Sequence, residues 1–160
     1  MNNYVTISVE TSGLCDSKDE IIELSAIKVR RGKIVDRFSS LVKPQCALSS
    51  EVERLTHITN ESLRSAPSIN EVLPEYLKFI GGNPLVAHNI GFDIRFLNTA
   101  LKRLGMRLLK NKTVDTVKLA KRKCGIKRFF ICAVAEFLSI DYENLADDEL
   151  VYHIYEKLKR

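Results

Sequence analysis

Three acidic residues stand out for where they sit in the pattern around them. Asp93 is followed by Phe96, Leu97, Ala100, Leu101 and Leu104, and Asp147 by Leu150, Val151, Ile154 and Leu158. Those intervals trace one face of an α-helix, and a face so apolar must be buried. Each aspartate therefore opens a helix on its buried stripe and is expected to point along the inner face. Either one alone is accounted for by the preference for acids in a helix's first turn; two aligned alike point to a shared polar pocket. A third acid, Glu10, lies on the face of an alternating segment that also carries Thr6 and Ser8, opposite Val5, Ile7 and Val9. Three carboxylates drawn together must raise their pKa values or recruit a cation. Oxygen-only ligands select hard ions, here Mg²⁺ or Mn²⁺.

The elements that must position these acids can be read along the chain. Tyr4–Val9 reads as a strand, and Ile21–Arg30 and Lys33–Leu41 as two more joined tightly at Arg31-Gly32. Ser49 is the expected N-cap of a short helix over Glu51–Leu55. Ser68 with Glu71 forms a capping box that opens a helix ending at Ile80, where Gly81-Gly82-Asn83-Pro84 stops it. Leu85–His88 reads as a short buried strand, then Phe92–Leu104 as helix and Thr113–Asp115 as a last strand. Val117–Lys123, Ile131–Phe137 and Asp147–Leu158 complete the helices. Three strands in meander, then alternating strand and helix, give an α/β fold with a mixed sheet and helices packed against it. With 160 residues and no internal repeat or linker, a single domain over 1–160 is expected.

Composition narrows the classes. Hydrophobic residues make up 45% and charged residues 28% of the chain, a globular balance. No segment approaches the roughly 20 apolar residues that cross a membrane, and the start of the chain lacks the pattern of a signal peptide, so a cytoplasmic location is expected. Cys15, Cys46, Cys124 and Cys132 are scattered without metal-ligand spacing and are read as idle thiols. The net charge of +5 is compatible with a phosphate-bearing partner. Lys118, Lys121, Arg122, Lys123, Lys127 and Arg128 form a basic run that fits either a solvated face or a phosphate-binding one.

Ile7-Ser8-Val9-Glu10-Thr11-Ser12-Gly13-Leu14 resembles the first motif of DEDD-type 3′–5′ exonucleases, whose pattern is Asp-x-Glu-Thr-Thr-Gly-Leu. Leu85-Val86-Ala87-His88-Asn89-Ile90-Gly91-Phe92-Asp93 is similar to the second motif, and Leu145-Ala146-Asp147 with its apolar helix to the third. Leu55-Thr56-His57-Ile58-Thr59, Ala66-Pro67 and Val114-Asp115-Thr116 resemble the DnaQ-like branch, the proofreading epsilon subunit of DNA polymerase III, with His57 in place of a usual glycine. The resemblance spans essentially the whole chain. It implies an RNase H-like fold, a five-stranded mixed sheet with a three-strand antiparallel meander and helices on both faces. It also implies two-metal hydrolysis of the terminal phosphodiester of a single-stranded DNA or RNA, with Glu10, Asp93 and Asp147 as metal ligands. Thr11, Ser12, Leu14, His57, His88, Asn89 and Phe92 are the implied substrate contacts, and a polymerase or another protein the implied partner. The preferred local readings are a backbone-bonded imidazole for His88 and a core ring for Phe92.

Two positions depart from the pattern. Ser8 stands where the family has the aspartate that bridges both metals; a neutral hydroxyl is a weak Mg²⁺ ligand, so one firmly held ion is expected and the second weakened. Tyr142 stands five residues before Asp147, where the family has a histidine that orients or deprotonates the water. A phenol with a pKa near ~10 is a poor general base at neutral pH. Three readings follow: an exonuclease with weakened or lost activity, a non-catalytic module that binds nucleic acid or a protein, and an interaction domain with a vestigial groove. Asp16 and Asp19, just beyond the first motif, are candidates to supply the missing carboxylate, and His153 is assigned no role.

Overall fold

A computed structural model describes Met1–Arg160. Five strands form one sheet: β1 (Tyr4–Thr11), β2 (Ile21–Arg30), β3 (Lys33–Leu41), β4 (Leu85–Ala87) and β5 (Thr113–Asp115). Their order is β3-β2-β1-β4-β5. The meander β1-β2-β3 is antiparallel, while β4 joins β1, and β5 joins β4, in parallel. The parallel pairs need crossovers, and helices supply them: α1 (Ser50–Thr56), α2 (Asn60–Leu63) and α3 (Ile69–Ile80) before β4, then α4 (Ile90–Arg103) before β5. Three helices close the chain, α5 (Thr116–Lys123), α6 (Ile131–Phe137) and α7 (Asp147–Leu158).

The alternation along β1 decides which helices cover which face. Val5, Ile7 and Val9 are buried with Leu73, Tyr76 and Ile80 of α3 and Phe96, Leu97 and Leu101 of α4. Tyr4 points the other way and packs with Val151 and Tyr155 of α7. Helices therefore lie on both faces, and the second face carries Ser8 and Glu10 up to the start of α7. A separate small core joins the last three helices to each other, with Ala120, Val134, Leu150 and Ile154 at its centre.

The element boundaries follow the expected ones closely, and the differences are instructive. β1 runs two residues further than expected, to Thr11, with an irregularity in its pairing between Glu10 and Thr11. The helix α4 begins at Ile90 rather than Phe92, because Asn89 takes a left-handed conformation (φ 63°) that turns the chain sharply out of β4. The one-turn helix α2 has no counterpart in the sequence reading; Thr59 and Ser62 cap it reciprocally. Ser49 caps α1 by accepting from the Val52 N–H, and Ser68 and Glu71 make the expected capping box on α3. All four cysteines are free thiols, three of them exposed and Cys124 buried. No helix is long and apolar enough to cross a membrane.

Candidate active site

The site is built where β1, α4 and α7 meet. Sheet register sets its floor. Ser8 lies opposite Ser25, and Ser25 opposite Ser39, so a row of three serines crosses the meander. One step along, Glu10 lies opposite Glu23. These side chains, with Asp147 and Asp148 at the start of α7 and His57 at the end of α1, line a depression of about 420 Å³. Arg37 stands at its rim but is committed to Glu149 through two hydrogen bonds of 2.9 and 2.7 Å, a fork that ties β3 to the first turn of α7.

The acids carry the marks of a charge surplus. Burial, with Asp147 and Glu23 beside it, pushes Glu10 up to about 7. Asp93 is buried at the N-terminal end of α4 and accepts a 3.1 Å hydrogen bond from the Val9 N–H. Burial still drives its pKa up to about 8, and Glu10 and Asp115 add to the rise. Loss of solvation within the depression also raises Asp147, although part of its side chain reaches water, and His88 pulls it downward. The two neighbouring acids of α7 differ: Asp147 is exposed at the mouth, whereas Asp148 is buried and raised to about 6. The sequence pattern had placed Asp147 on the buried stripe; the first turn of α7 instead turns Asp148 inward, a position one residue along that an apolar periodicity cannot distinguish at a helix start.

The donor set suits a hard cation in kind: carboxylate and hydroxyl oxygens, no thiol, and repulsion that an ion would relieve. It does not form a closed cage, since no three His, Cys, Asp or Glu side chains converge as a ready-made metal centre, and one oxygen of Asp93 is occupied by the backbone of β1. The two expected rescuers are engaged elsewhere. Asp16 accepts from Thr99 at 2.6 Å and pairs with Arg95, and Asp19 accepts from the Cys15 N–H at 2.8 Å. Neither supplies the carboxylate missing at Ser8.

A second cavity, about 410 Å³, adjoins the first at Glu10. Val9, Thr11, Gly13, Leu14, Val52, Leu55 and Phe92 make it largely apolar. Leu14 and Leu55 are 81% and 63% exposed, and both line this one cavity, so together they give it an apolar wall open to solvent. Gly13 is required in the loop that carries Leu14: a Cβ there would lie 2.4 Å from the Asp19 carboxylate. Phe92 is half-buried with its ring 4.8 Å from that of Phe96, so it both packs on the core and walls the slot. Leu55 escaped the sequence reading because nothing in its spacing separates a slot-lining leucine from a core one.

The remaining expected contacts fall in distinct places. Thr11 lines the slot, its hydroxyl donating to the Gly13 carbonyl at 2.6 Å. Ser12 lines neither cavity; its hydroxyl accepts from the Glu20 N–H and holds the loop. His57, left-handed at φ 58°, faces the acidic depression. His88 is a brace, as in the local reading of a backbone-bonded imidazole and unlike the substrate contact that the resemblance implies: one ring nitrogen lies 2.9 Å from Thr116 Oγ1 and the other 2.7 Å from the Phe129 carbonyl. Asn89 and His88 border a third cavity that shares Asp147 with the first. Tyr142 is not brought to the acids. It lines none of these three cavities, and its hydroxyl donates to Glu136 at 2.8 Å. His153 stacks edge-on against Tyr152 and touches nothing of the site.

Comparison with known proteins agrees with this geometry. A family model described as Exonuclease matches residues 5–148. The chain is 39% identical over 144 residues to a DNA polymerase III PolC-type of Clostridium perfringens, covering 89% of this chain and 10% of that protein. It is 43% identical over 118 residues to the PolC-type polymerase of Staphylococcus haemolyticus, covering 74% of this chain and 8% of that one. The chain thus spans about a tenth of the length of these relatives. Among solved structures, exonuclease X in complex with 5′ overhanging duplex DNA superposes with a TM-score of 0.74 at 24% identity, over 98% of this chain and 89% of that one. Product-bound exonuclease I superposes with a TM-score of 0.86 at 14% identity, over 99% of this chain and 43% of that one. The match over nearly the whole chain, on an RNase H-like fold with its acids gathered past the end of the central strand, means that this chain belongs to the DEDD-type exonuclease family.

Proposed function

We propose that this chain is a 3′–5′ exonuclease domain of reduced activity, acting on the end of a single-stranded nucleic acid in the cytoplasm beside a replicative polymerase. The observation that carries the reading is the position of Glu10, whose side chain is shared by an apolar slot and an acidic depression. A terminal base fits between Leu14, Leu55 and Phe92, which places its phosphate over Glu10 and the first turn of α7. The polymerase context rests on the PolC-type relatives.

Glu10, Asp93 and one of the α7 acids, Asp147 or Asp148, are the residues that would hold a divalent ion, Mg²⁺ or Mn²⁺. Such an ion supplies an activated water and neutralises charge on the phosphate. The protein's own part is to exclude water from the base with the leucine pair and to hold the acids together at the end of the central strand. Ser8 contributes a hydroxyl where a second charge is needed, so one ion would be held better than a second and turnover would be slow. A second reading, a strand-binding module without chemistry, is favoured by the neutral serine row across the floor.

Incubation of a 3′-labelled single strand with the pure chain and Mn²⁺ tests the proposal. Slow release of mononucleotides that disappears in Glu10→Ala is the expected result. No release by the unaltered chain, with the strand still bound, would replace it by the second reading.

A further inference from the structure

On the far side of Asp147 from the depression lies a third cavity of about 500 Å³, bordered by Asp147 itself and by His88, Asn89, Lys121, Phe129 and Phe130. Two features there remain unused by the active-site reading. Phe130 is 70% exposed, although a buried phenylalanine stabilises a fold by about 1.5–3 kcal/mol. From Thr116 to Ala135 the chain has six basic residues and no acidic one. Lys118, Lys121, Arg122, Lys127 and Arg128 are exposed, and none of them is in a salt bridge. Only Lys123 is spoken for, donating to the Leu158 carbonyl at the end of α7.

The aromatic pair is held in place rather than left loose. His88 bonds to the Phe129 carbonyl, and Lys121 Nζ lies 5.7 Å from the centre of the Phe129 ring. Phe130, the next residue, is thereby presented outward in a cavity that it shares with Lys121 and Asp147. An exposed flat ring that shares its cavity with Lys121, on a segment that carries further exposed cations, matches a chain that offers flat faces and regularly spaced anions together. An acidic peptide satisfies the cations but gives the ring nothing to stack on.

We propose that this surface is the track for the single strand leading to the active site, with a base stacked on Phe130 and backbone phosphates held by Lys121 and its neighbours. The proposal rests on the nuclease reading for its polarity: the 3′ end occupies the leucine slot, and the preceding nucleotides cross Asp147 onto Phe130.

Binding of a 5′-labelled 12-nucleotide strand, measured by fluorescence anisotropy in EDTA and low salt, separates the two proposals because no cleavage is involved. Phe130→Ala is expected to weaken binding by about 5- to 150-fold, the range that stacking of one base supplies, and Phe130→Tyr to restore it. Lys121→Gln is expected to lower the slope of log K against log salt by about 0.7, one phosphate contact on a single strand. Both positions are exposed, and circular dichroism checks that the variants fold. Parental affinity and salt slope in Phe130→Ala and Lys121→Gln would overturn the track and leave the nuclease reading standing. Absence of strand binding by the unaltered chain would overturn both. A poly-glutamate peptide that binds as tightly as the strand, indifferent to Phe130→Ala, would assign the surface to an acidic protein partner. Deoxyribose and ribose strands run in parallel, and the tighter of the two names the source.

Discussion

Glu10 and Asp93 are held by backbone, Asp147 and Asp148 by side-chain packing. Glu10 sits in a strand paired on both sides, and Asp93 is bonded to the Val9 N–H of that same strand. The α7 acids belong instead to a small helical layer whose own core is seven residues, against seventeen for the cluster under the sheet. That layer is joined to the sheet through Val151 and Tyr155 of α7, packed on Tyr4, Ile27, Val29 and Val86, and further by the Arg37–Glu149 fork and by Tyr4 donating to Glu156. The sheet half of the site, held by main-chain bonds, is therefore the more rigid, and the helical half, held by side-chain contacts alone, the more adjustable. The two departures from the family pattern divide the same way: Ser8 lies on the rigid half, and Tyr142 on the adjustable one, facing Glu136 instead of the acids.

If the rigid half sets the limit on chemistry, Ser8→Asp should raise Mn²⁺-dependent release from a 3′-labelled strand on the order of 100-fold, the scale of one well-placed charge-stabilising group. No gain would shift the limit to the helical half. The two cores can be compared with one substitution chemistry. Leu97→Ala, under the sheet, should cost about 4 kcal/mol in urea unfolding, and Leu150→Ala, in the helical layer, about 2 kcal/mol, since a site that can collapse leaves less cavity. Equal losses would break the distinction.

A smaller effect concerns protons. Asp93 titrates near 8 in the folded chain against an ordinary 3.8. The folded state therefore holds the extra proton between those values, so stability is greatest below the window and falls as pH rises through it. Thermal melting of the metal-free protein should show that decline toward pH 8. Asp93→Asn, which keeps an acceptor for the Val9 N–H, should flatten the part of the decline above pH 7, beyond the range where Glu10 and Asp148 ionise, and raise the melting temperature at pH 8 by several degrees. A slope unchanged by Asp93→Asn would mean another group carries it. The smallest change is expected from Tyr142→Phe. Activity should stay within about twofold, whereas loss of a general base costs 100-fold or more; a large loss would bring Tyr142 into the chemistry after all.

Much of this arrangement was legible in the residues. Alternation along Tyr4–Val9 told which face carries Ser8 and Glu10, and helical spacing told that Asp93 is buried, because both depend on local periodicity alone. What escaped depends on contacts between distant segments. Glu23 joins Glu10 only through strand register. Asp148 rather than Asp147 turns inward through the rotation of α7 against the sheet. Phe130 is exposed although it lies in an apolar run, a fact set by where His88 holds its neighbour.

That last brace has a bearing on how the chain reaches its shape. His88 joins Thr116, 28 residues away, and Phe129, 41 residues away, and α6 beyond it has only seven residues, too few to persist alone in water. Contacts so far apart along the chain must await closure of the loops between them. The segment bearing Phe130 should then be the last part of the molecule to settle as it folds and the first to come away as it unfolds.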